Sequence, residues 1–373
     1  MTRALPNRAH WLVPCAIVGA LLTTWPQRSR SADDPRDWLE KMNQALATRN
    51  YEGTFFHLSQ GRVETMRIVH RVRSGRVSER LQSLDGSGRE FVRNNDELTC
   101  YLPDQHTVLV EPRQDRGPFL GSLPKFGASV NDFYRIEALP STRILGRPAR
   151  VITVDPKDQF RFGYRLWLDE KTAMPLKTQL CDSRGQVIEQ IFFARLDMPE
   201  NIPDSDLAPT VRTDGMRWVR QGAYQDTASP ALSAYRASQL PPGFRLTVAG
   251  AQTLGGASVP ASHLVYSDGL ATVSVFVEAP RDANPNPGAS TPGASTPGVS
   301  APGASAPGAS APSDAHPPSE PPMQGLARVG SGFAFSTIVQ GHQVTAVGEV
   351  PAETVEFIAH SVKIYSGDEP PRH

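Results

Sequence analysis

Side chains that could do chemistry are present, but their spacing matches no common catalytic or metal-binding pattern. The chain lacks the nucleophile elbow G-x-S-x-G, the zinc motif H-E-x-x-H, the P-loop and the dinucleotide motif G-x-G-x-x-G. Asp155 and Asp158 lie in the turn-like sequence Asp-Pro-Lys-Asp. Histidines are scattered at no ligand spacing, among them His57, His70, His106, His263, His342 and His360. We therefore predict that the protein is not an enzyme and holds no metal ion or cofactor.

A row of arginines is the clearest charged feature of the chain. Within residues 63–86, two alternating runs flank Ser74-Gly75, which predicts a β-hairpin. Because side chains alternate along a strand, one face of this hairpin is apolar. The other face carries a series of basic side chains: Arg67, Arg71, Arg73, Arg76 and Arg80. These arginines could orient an anionic headgroup or meet an acidic segment of a partner, or they could form a solvated outer face.

Apolar residues on the alternating strands suggest a binding surface. A helix and an irregular stretch near residues 118–136 offer little cover for so wide a sheet, so part of the apolar face is expected to stay open. The candidates for contact with a lipid are Phe55, Met66, Ile68, Val72, Leu81, Tyr101, Leu109, Phe162, Tyr164 and Trp167.

The first 32 residues have the composition of an export signal. They contain four arginines and no acidic residue, and residues 11–25 form an apolar stretch too short for a comfortable membrane span. Without this segment, 34 basic and 38 acidic residues remain, a balance that does not indicate binding to nucleic acid. We predict a cleaved signal peptide; an uncleaved anchor is the alternative.

The remaining chain is expected to form two domains. A helix beginning at Asp34-Pro35 precedes short alternating strands, which predict a first, β-rich domain over residues 33–208. The strand pattern lapses around residues 200–220, where Pro199, Pro203 and Pro209 lie, so a linker is predicted over 209–222 and a smaller β domain with a terminal helix over 223–373. Residues 284–322 carry repeats of Pro, Gly, Ser, Ala and Thr that cannot bury a core, so a disordered insert is expected there.

Two cysteines lie beyond the export segment, Cys100 and Cys181. In an oxidising compartment such a pair can form a disulfide, but the sequence alone does not bring the two residues within bridging distance. Pairing is therefore left open.

Five blocks, in order, resemble the RseB/MucB family, periplasmic regulators of the envelope-stress sigma factor. They are Trp38-Leu-Glu-Lys-Met-Asn-Gln-Ala with Asn50-Tyr-Glu-Gly-Thr-Phe, the stretch 78–93, Tyr164-Arg-Leu-Trp-Leu-Asp-Glu-Lys-Thr-Ala-Met-Pro-Leu-Lys, Val265-Tyr-Ser-Asp-Gly-Leu and Val347-Gly-Glu-Val-Pro. The resemblance spans about residues 36–365 apart from the insert. It implies a β-rich α+β protein: an N-terminal half-barrel sheet similar to the LolA/LolB carriers, and a smaller C-terminal β domain.

The resemblance also implies a function without catalysis. Such proteins bind the periplasmic part of a single-span anti-sigma factor and shield it from the first protease until lipopolysaccharide or a lipoprotein is sensed. The turn residues Tyr266, Ser267, Asp268 and Gly269 are then candidates for the partner contact, although locally they indicate only a turn. A homo-oligomer is left open. A periplasmic lipid or lipoprotein carrier is the alternative function, and a scaffold acting through the insert is a third.

Overall fold

The computed structural model describes residues 34–86, 88–94, 97–112, 130–220, 235–252, 260–278 and 324–364. The predicted signal peptide and the insert 284–322 lie outside these residues. No helix of the described ranges is long and apolar enough to cross a membrane.

The first helix, α1 (Pro35–Thr48), begins as the sequence predicts. Asp34 caps it, since its Oδ1 accepts a hydrogen bond of 2.9 Å from the backbone nitrogen of Arg36, and Pro35 stands in the first turn, where it displaces no helical hydrogen bond. The helix buries one apolar stripe, made of Trp38, Leu39, Met42, Ala45 and Leu46.

The first domain is built on a sheet of twelve strands that stays open, because its order ends at β12 on one side and β7 on the other. The order is β12-β6-β5-β4-β3-β2-β1-β11-β10-β9-β8-β7. The strands are β1 (Tyr51–Ser59), β2 (Arg62–Arg73), β3 (Arg76–Ser83), β4 (Glu90–Asn94), β5 (Glu97–Leu102), β6 (Thr107–Pro112), β7 (Tyr134–Ile144), β8 (Arg147–Pro156), β9 (Gly163–Asp169), β10 (Pro175–Cys181), β11 (Val187–Asp197) and β12 (Arg217–Arg220). Short helices lie at Pro103–Gln105 (3₁₀), Val130–Phe133 (α2) and Asp204–Leu207 (α3).

The predicted hairpin is present as strands β2 and β3. Ser74 and Gly75 both have positive φ, 52° and 74°, which is the geometry of a two-residue turn whose twist matches its strands. We call the sheet face covered by α1 the inner face and the opposite one the outer face. Ile68 pairs with Leu81 on the inner face, so the alternating arginines point outward.

Residues 202–216, here called the outer strap, run across the outer face. Ile202 and Leu207 form a buried cluster with Val69, and Val211 and Met216 pack against a second cluster around Val108. Strand β12 then pairs in parallel with β6. The assignment of 209–222 to a linker is therefore wrong up to Arg220, because these residues cover the first domain.

The second domain contains a six-stranded sheet with the order β14-β15-β16-β19-β18-β17, and a two-stranded ladder. Its elements are β13 (Tyr235–Ala237), β14 (Arg245–Gln252), β15 (Ala261–Ser267), β16 (Thr272–Glu278), β17 (Gly325–Val329), β18 (Gly332–Val339), β19 (His342–Gly348), α4 (Ala352–Ser361) and β20 (Val362–Ile364). The predicted terminal helix is present as α4 and ends at Ser361, because residues 362–364 pair with β13 instead. The predicted β-rich α+β class, with a large first sheet and a smaller second one, is confirmed.

Candidate functional site

Most of the apolar candidates are core residues. Phe55, Met66, Ile68 and Leu81 share the main cluster with α1, and none is more than 8% exposed. They line no open surface in this structure, because α1 covers that part of the inner face. Phe162 is also buried, whereas Tyr164 packs at the margin of the cluster. Val72 and Leu109 are only partly buried.

Two of the candidates lie on the wrong face of the sheet. Tyr101 belongs to the cluster under the outer strap, and its neighbour Cys100 pairs across the inner face with Leu109. Trp167 alternates with Leu166 and points outward, where the Lys177 ammonium lies 4.5 Å from its ring centroid. A ligand on the inner face therefore does not meet Tyr101, whereas Trp167 also packs against the margin of the main cluster.

The arginines are separated from the buried candidates by the sheet itself. Arg71 pairs with Asp204 at 2.6 Å and donates to the carbonyl oxygen of Ile202. Arg80, almost fully buried, pairs with Glu90 at 3.3 Å and donates to the Asp206 carbonyl oxygen. Arg71 and Arg80 thus hold the outer strap, and they are not available to a headgroup. The hydrogen bond from Arg71 also keeps the pKa of the exposed Asp204 below its usual range.

The other three arginines are more accessible. Arg73 and Arg76 are exposed beside the hairpin turn, and Arg67 is partly exposed with Glu52 at 3.3 Å from its guanidinium. The proposal of contact with an anionic headgroup or an acidic partner segment therefore remains for Arg67, Arg73 and Arg76, on the outer face.

Arg80→Ala is expected to lower the free energy of unfolding by about 1–3 kcal/mol, because it leaves buried Glu90 without its charged partner and releases the outer strap. Arg76→Ala, on the same strand and exposed, should change it by less than about 0.5 kcal/mol. Chemical denaturation of both variants measures the difference. Equal effects would mean that Arg80 does not anchor the strap.

Cys100 and Cys181 lie too far apart in the sheet to form a disulfide with each other. Cys100 lies on β5 and Cys181 on β10, with β4, β3, β2, β1 and β11 between them in the sheet order. Both are buried and no disulfide joins them. Burial raises the pKa of the Cys181 thiol.

The turn 266–269 is where the second domain contacts the first. Asp268 is fully buried, and its Oδ2 lies 2.7 Å from Arg161 Nη1 and 3.1 Å from the Tyr134 hydroxyl, which donates to it. Tyr266 is buried in the second core and accepts a hydrogen bond from the backbone nitrogen of Ala237. Asp268 and Tyr266 therefore cannot face an external partner, whereas Gly269 is exposed.

Arg161 is the centre of this domain junction. Its side chain is fully buried between both domains and bonds to Asp268, to Asp158 at 3.0 Å and to the carbonyl oxygen of Pro242 at 2.6 Å. The guanidinium carbon also lies 4.8–5.5 Å from the ring centroids of Phe133, Tyr134 and Phe244. Burial and the nearby Asp268 carboxylate raise the pKa of Tyr134, so its hydroxyl stays a donor.

Backbone and apolar contacts complete the junction. Gly243 has φ +83°, and a Cβ built there would lie 2.3 Å from the Phe133 ring, so this close approach requires glycine. Leu270 packs against the first domain's core, and the Thr354 hydroxyl donates to the Phe160 carbonyl oxygen at 2.7 Å. The first domain's core thus contacts the second domain directly.

Sequence reasoning missed the residues that build this junction. Arg161 meets a partner 107 positions away, and no local pattern marks it. The only signal was Asp158, which the sequence indicated as a turn residue and which the structure also places on Arg161.

The chain is similar to known proteins along both domains. The models of the MucB/RseB N-terminal and C-terminal domains match residues 34–211 and 229–300. The sigma factor AlgU regulatory protein MucB of Pseudomonas aeruginosa is 31% identical over 346 residues, covering 89% of this chain and 92% of that protein. The chain belongs to the MucB/RseB family.

Further relatives agree with the family. The sigma-E factor regulatory protein RseB of Escherichia coli is 23% identical over 359 residues, covering 95% of this chain and 97% of RseB. A solved complex of Pseudomonas aeruginosa MucA and MucB matches with a TM-score of 0.60 at 28% identity, over 90% of this chain and 100% of that one. The family predicted from the five sequence blocks is confirmed.

Proposed function

We propose that the protein is a periplasmic negative regulator of an envelope-stress sigma factor. It binds the periplasmic part of a single-span anti-sigma factor and shields that segment from the first proteolytic cut. The observation that carries this proposal is the match along both domains to a sigma factor regulatory protein. A solved structure of MucB in complex with MucA(peri), which matches at a TM-score of 0.60, supports a partner of this kind.

The regulator acts by binding and has no catalytic activity of its own. A carrier of lipid or lipoprotein would need only the first domain, whereas the matches to regulators span 87–95% of this chain and include the second domain. The signal peptide over residues 1–32 delivers the protein to the periplasm. Much of the anti-sigma contact falls to the second domain, with Gly269 and Ser267 the exposed or partly exposed members of the predicted turn.

An acyl chain of lipopolysaccharide or of a lipoprotein is the proposed releasing signal, and it binds on the inner face. Binding there would replace contacts of Phe55, Met66, Ile68 and Leu81 with α1. The acyl chain covers these four side chains again, so the cost is the exposure of the large apolar residues of α1, Trp38, Leu39, Met42 and Leu46, at roughly 1.5–3 kcal/mol each. Burial of a 12-carbon chain contributes a favourable free energy of about 0.8 kcal/mol per methylene, on the order of 10 kcal/mol in total. The two amounts are similar, so a lipid can shift the equilibrium without unfolding the domain.

Cleavage of the anti-sigma segment tests this function. The purified protein, at about ten times the dissociation constant, should slow the first cut of that segment about tenfold, because only the unbound fraction is cut. An unrelated substrate of the same protease serves as the control and should be cut at an unchanged rate. Unaltered cleavage of the anti-sigma segment at saturating protein would refute the proposal.

A further inference from the structure

A second contact between the domains lies away from Arg161. The side-chain amide of Gln60, in the turn between β1 and β2, donates to the carbonyl oxygen of Gly330, in the turn between β17 and β18, at 2.5 Å. The next residue, Ser331, donates its hydroxyl hydrogen bond to the Glu349 carboxylate. Glu349 is thereby held beside the turn that contacts the β1–β2 turn of the first domain.

The first domain presents a group of ionisable side chains here. His57, only 7% exposed at its side chain, lies 3.2 Å from Glu189 and 3.8 Å from Glu64. Arg89 forms an ion pair with Glu64. Side chains of Glu64 and Glu189 keep some solvent exposure, so protons can reach the group from water.

The charges of this group balance only when Glu349 is neutral. Ionised, Glu349 adds a negative charge near Glu189 and His57, in a group where Glu64 and Glu189 already balance His57 and Arg89. Protonated, it leaves two carboxylates facing two cations. No group of three or more His, Cys, Asp or Glu side chains in the described ranges is arranged to hold a metal ion.

We infer that the domain junction of this protein is a proton-responsive contact, in which protonation of Glu349 tightens the docking of the second domain onto the first. The ionisable group lies on the inner face, two residues along β1 and β2 from Phe55 and Met66, and does not include the 266–269 turn. The inference does not depend on the identity of the partner.

The direction in which the pKa of Glu349 is shifted agrees with this arrangement. Loss of water contacts, and then the Glu189 charge, raise the pKa of Glu349 from 4.5 to about 7. An acid whose pKa is raised in the docked state favours docking when protonated. The added stability is fully present below about pH 4.5 and is lost as the pH rises through about 7.

His57 and Tyr164 keep their protonation state over this window. Burial alone would lower the pKa of His57, but the nearby carboxylates of Glu189 and Glu64 outweigh it and raise the pKa to about 9. His57 therefore stays protonated between pH 5 and 8. Burial and the Glu349 charge raise the pKa of Tyr164, which stays neutral. Glu349 is thus the group expected to change charge.

Hydrogen–deuterium exchange of the full mature protein, corrected for intrinsic rates, tests the inference. In the turns around Gln60 and Gly330, the population open to exchange should rise roughly 25-fold from pH 5.5 to pH 8. Glu349→Gln should remove this dependence and keep the turns protected at both values. Glu353→Gln, an exposed acid at the start of α4, should behave like the wild type.

Carbon-13 NMR of the side-chain carboxyls gives a second readout. One carboxyl of the wild type should titrate near pH 7 and be missing from Glu349→Gln, and Glu189→Gln should shift that titration to lower pH. If Glu349→Gln does not fold, the shift of the carboxyl titration to lower pH in Glu189→Gln tests the inference by itself. An ordinary titration of Glu349 near pH 4.5, or exchange that is the same at both pH values, would overturn the inference.

Discussion

Asp268→Ala should lower the free energy of unfolding by about 3–5 kcal/mol, because it removes the buried carboxylate of the fully buried Arg161 guanidinium and leaves only the partly exposed Asp158. The Tyr134 hydroxyl loses its acceptor at the same time. Since Asp268 joins the two domains, calorimetry should also show a single thermal transition separating into two. The free-energy change is measured by chemical denaturation.

Two variants determine whether the lost pair is the cause. The double variant Arg161→Met/Asp268→Leu removes both charges and should recover much of the lost stability, since apolar side chains can replace a buried ion pair. Arg195→Met breaks an exposed pair with Asp197 on β11 and should cost less than about 1 kcal/mol. If the Arg161 and Asp268 effects were simply additive, the contact would not be coupled.

Glu79→Ala is expected to destabilise the first domain by about 3–5 kcal/mol. The Glu79 carboxylate lies between two buried groups, 2.7 Å from His70 Nδ1 and 3.0 Å from Arg93 Nη1, and the Tyr51 ring stacks on His70. Its removal leaves the Arg93 cation in an apolar core, where an uncompensated charge is expensive. Denaturant unfolding followed by tryptophan fluorescence measures the loss.

A matched control tests the role of burial. Glu97→Ala removes a carboxylate that pairs with Arg220 at 2.9 Å on the same sheet, but both side chains are more than half exposed. Its effect should stay below about 1 kcal/mol. A small effect of Glu79→Ala, comparable with that of Glu97→Ala, would show that the His70–Glu79–Arg93 group does not stabilise the core.

The junction gives the proposed regulator a physical route between its domains. Leu270 packs on the core that α1 closes, while Asp268, two residues earlier, pairs with Arg161. A ligand that displaces α1 contacts would disturb the same core. The docking of the second domain therefore depends on the inner-face core at the Leu270 contact, and on protonation at the Glu349 contact.

Local pattern in the sequence determined the elements of this fold. Asp34-Pro35 and the apolar spacing from Trp38 to Leu46 marked α1, and the alternation around Ser74-Gly75 marked the β2–β3 hairpin. These features depend on neighbours a few residues apart, which is why they can be read from one chain. The ordered blocks were likewise enough to indicate the family.

Only the tertiary structure determined which side chains of different elements contact one another and which of them are buried. It placed Tyr101 and Trp167 on the outer face and put Arg71 and Arg80 under the outer strap. It also turned Asp268 from a turn residue into a buried partner of Arg161, 107 positions away. Burial and pairing are set by chain segments far apart in sequence, and a side chain's type does not record which distant segment will cover it.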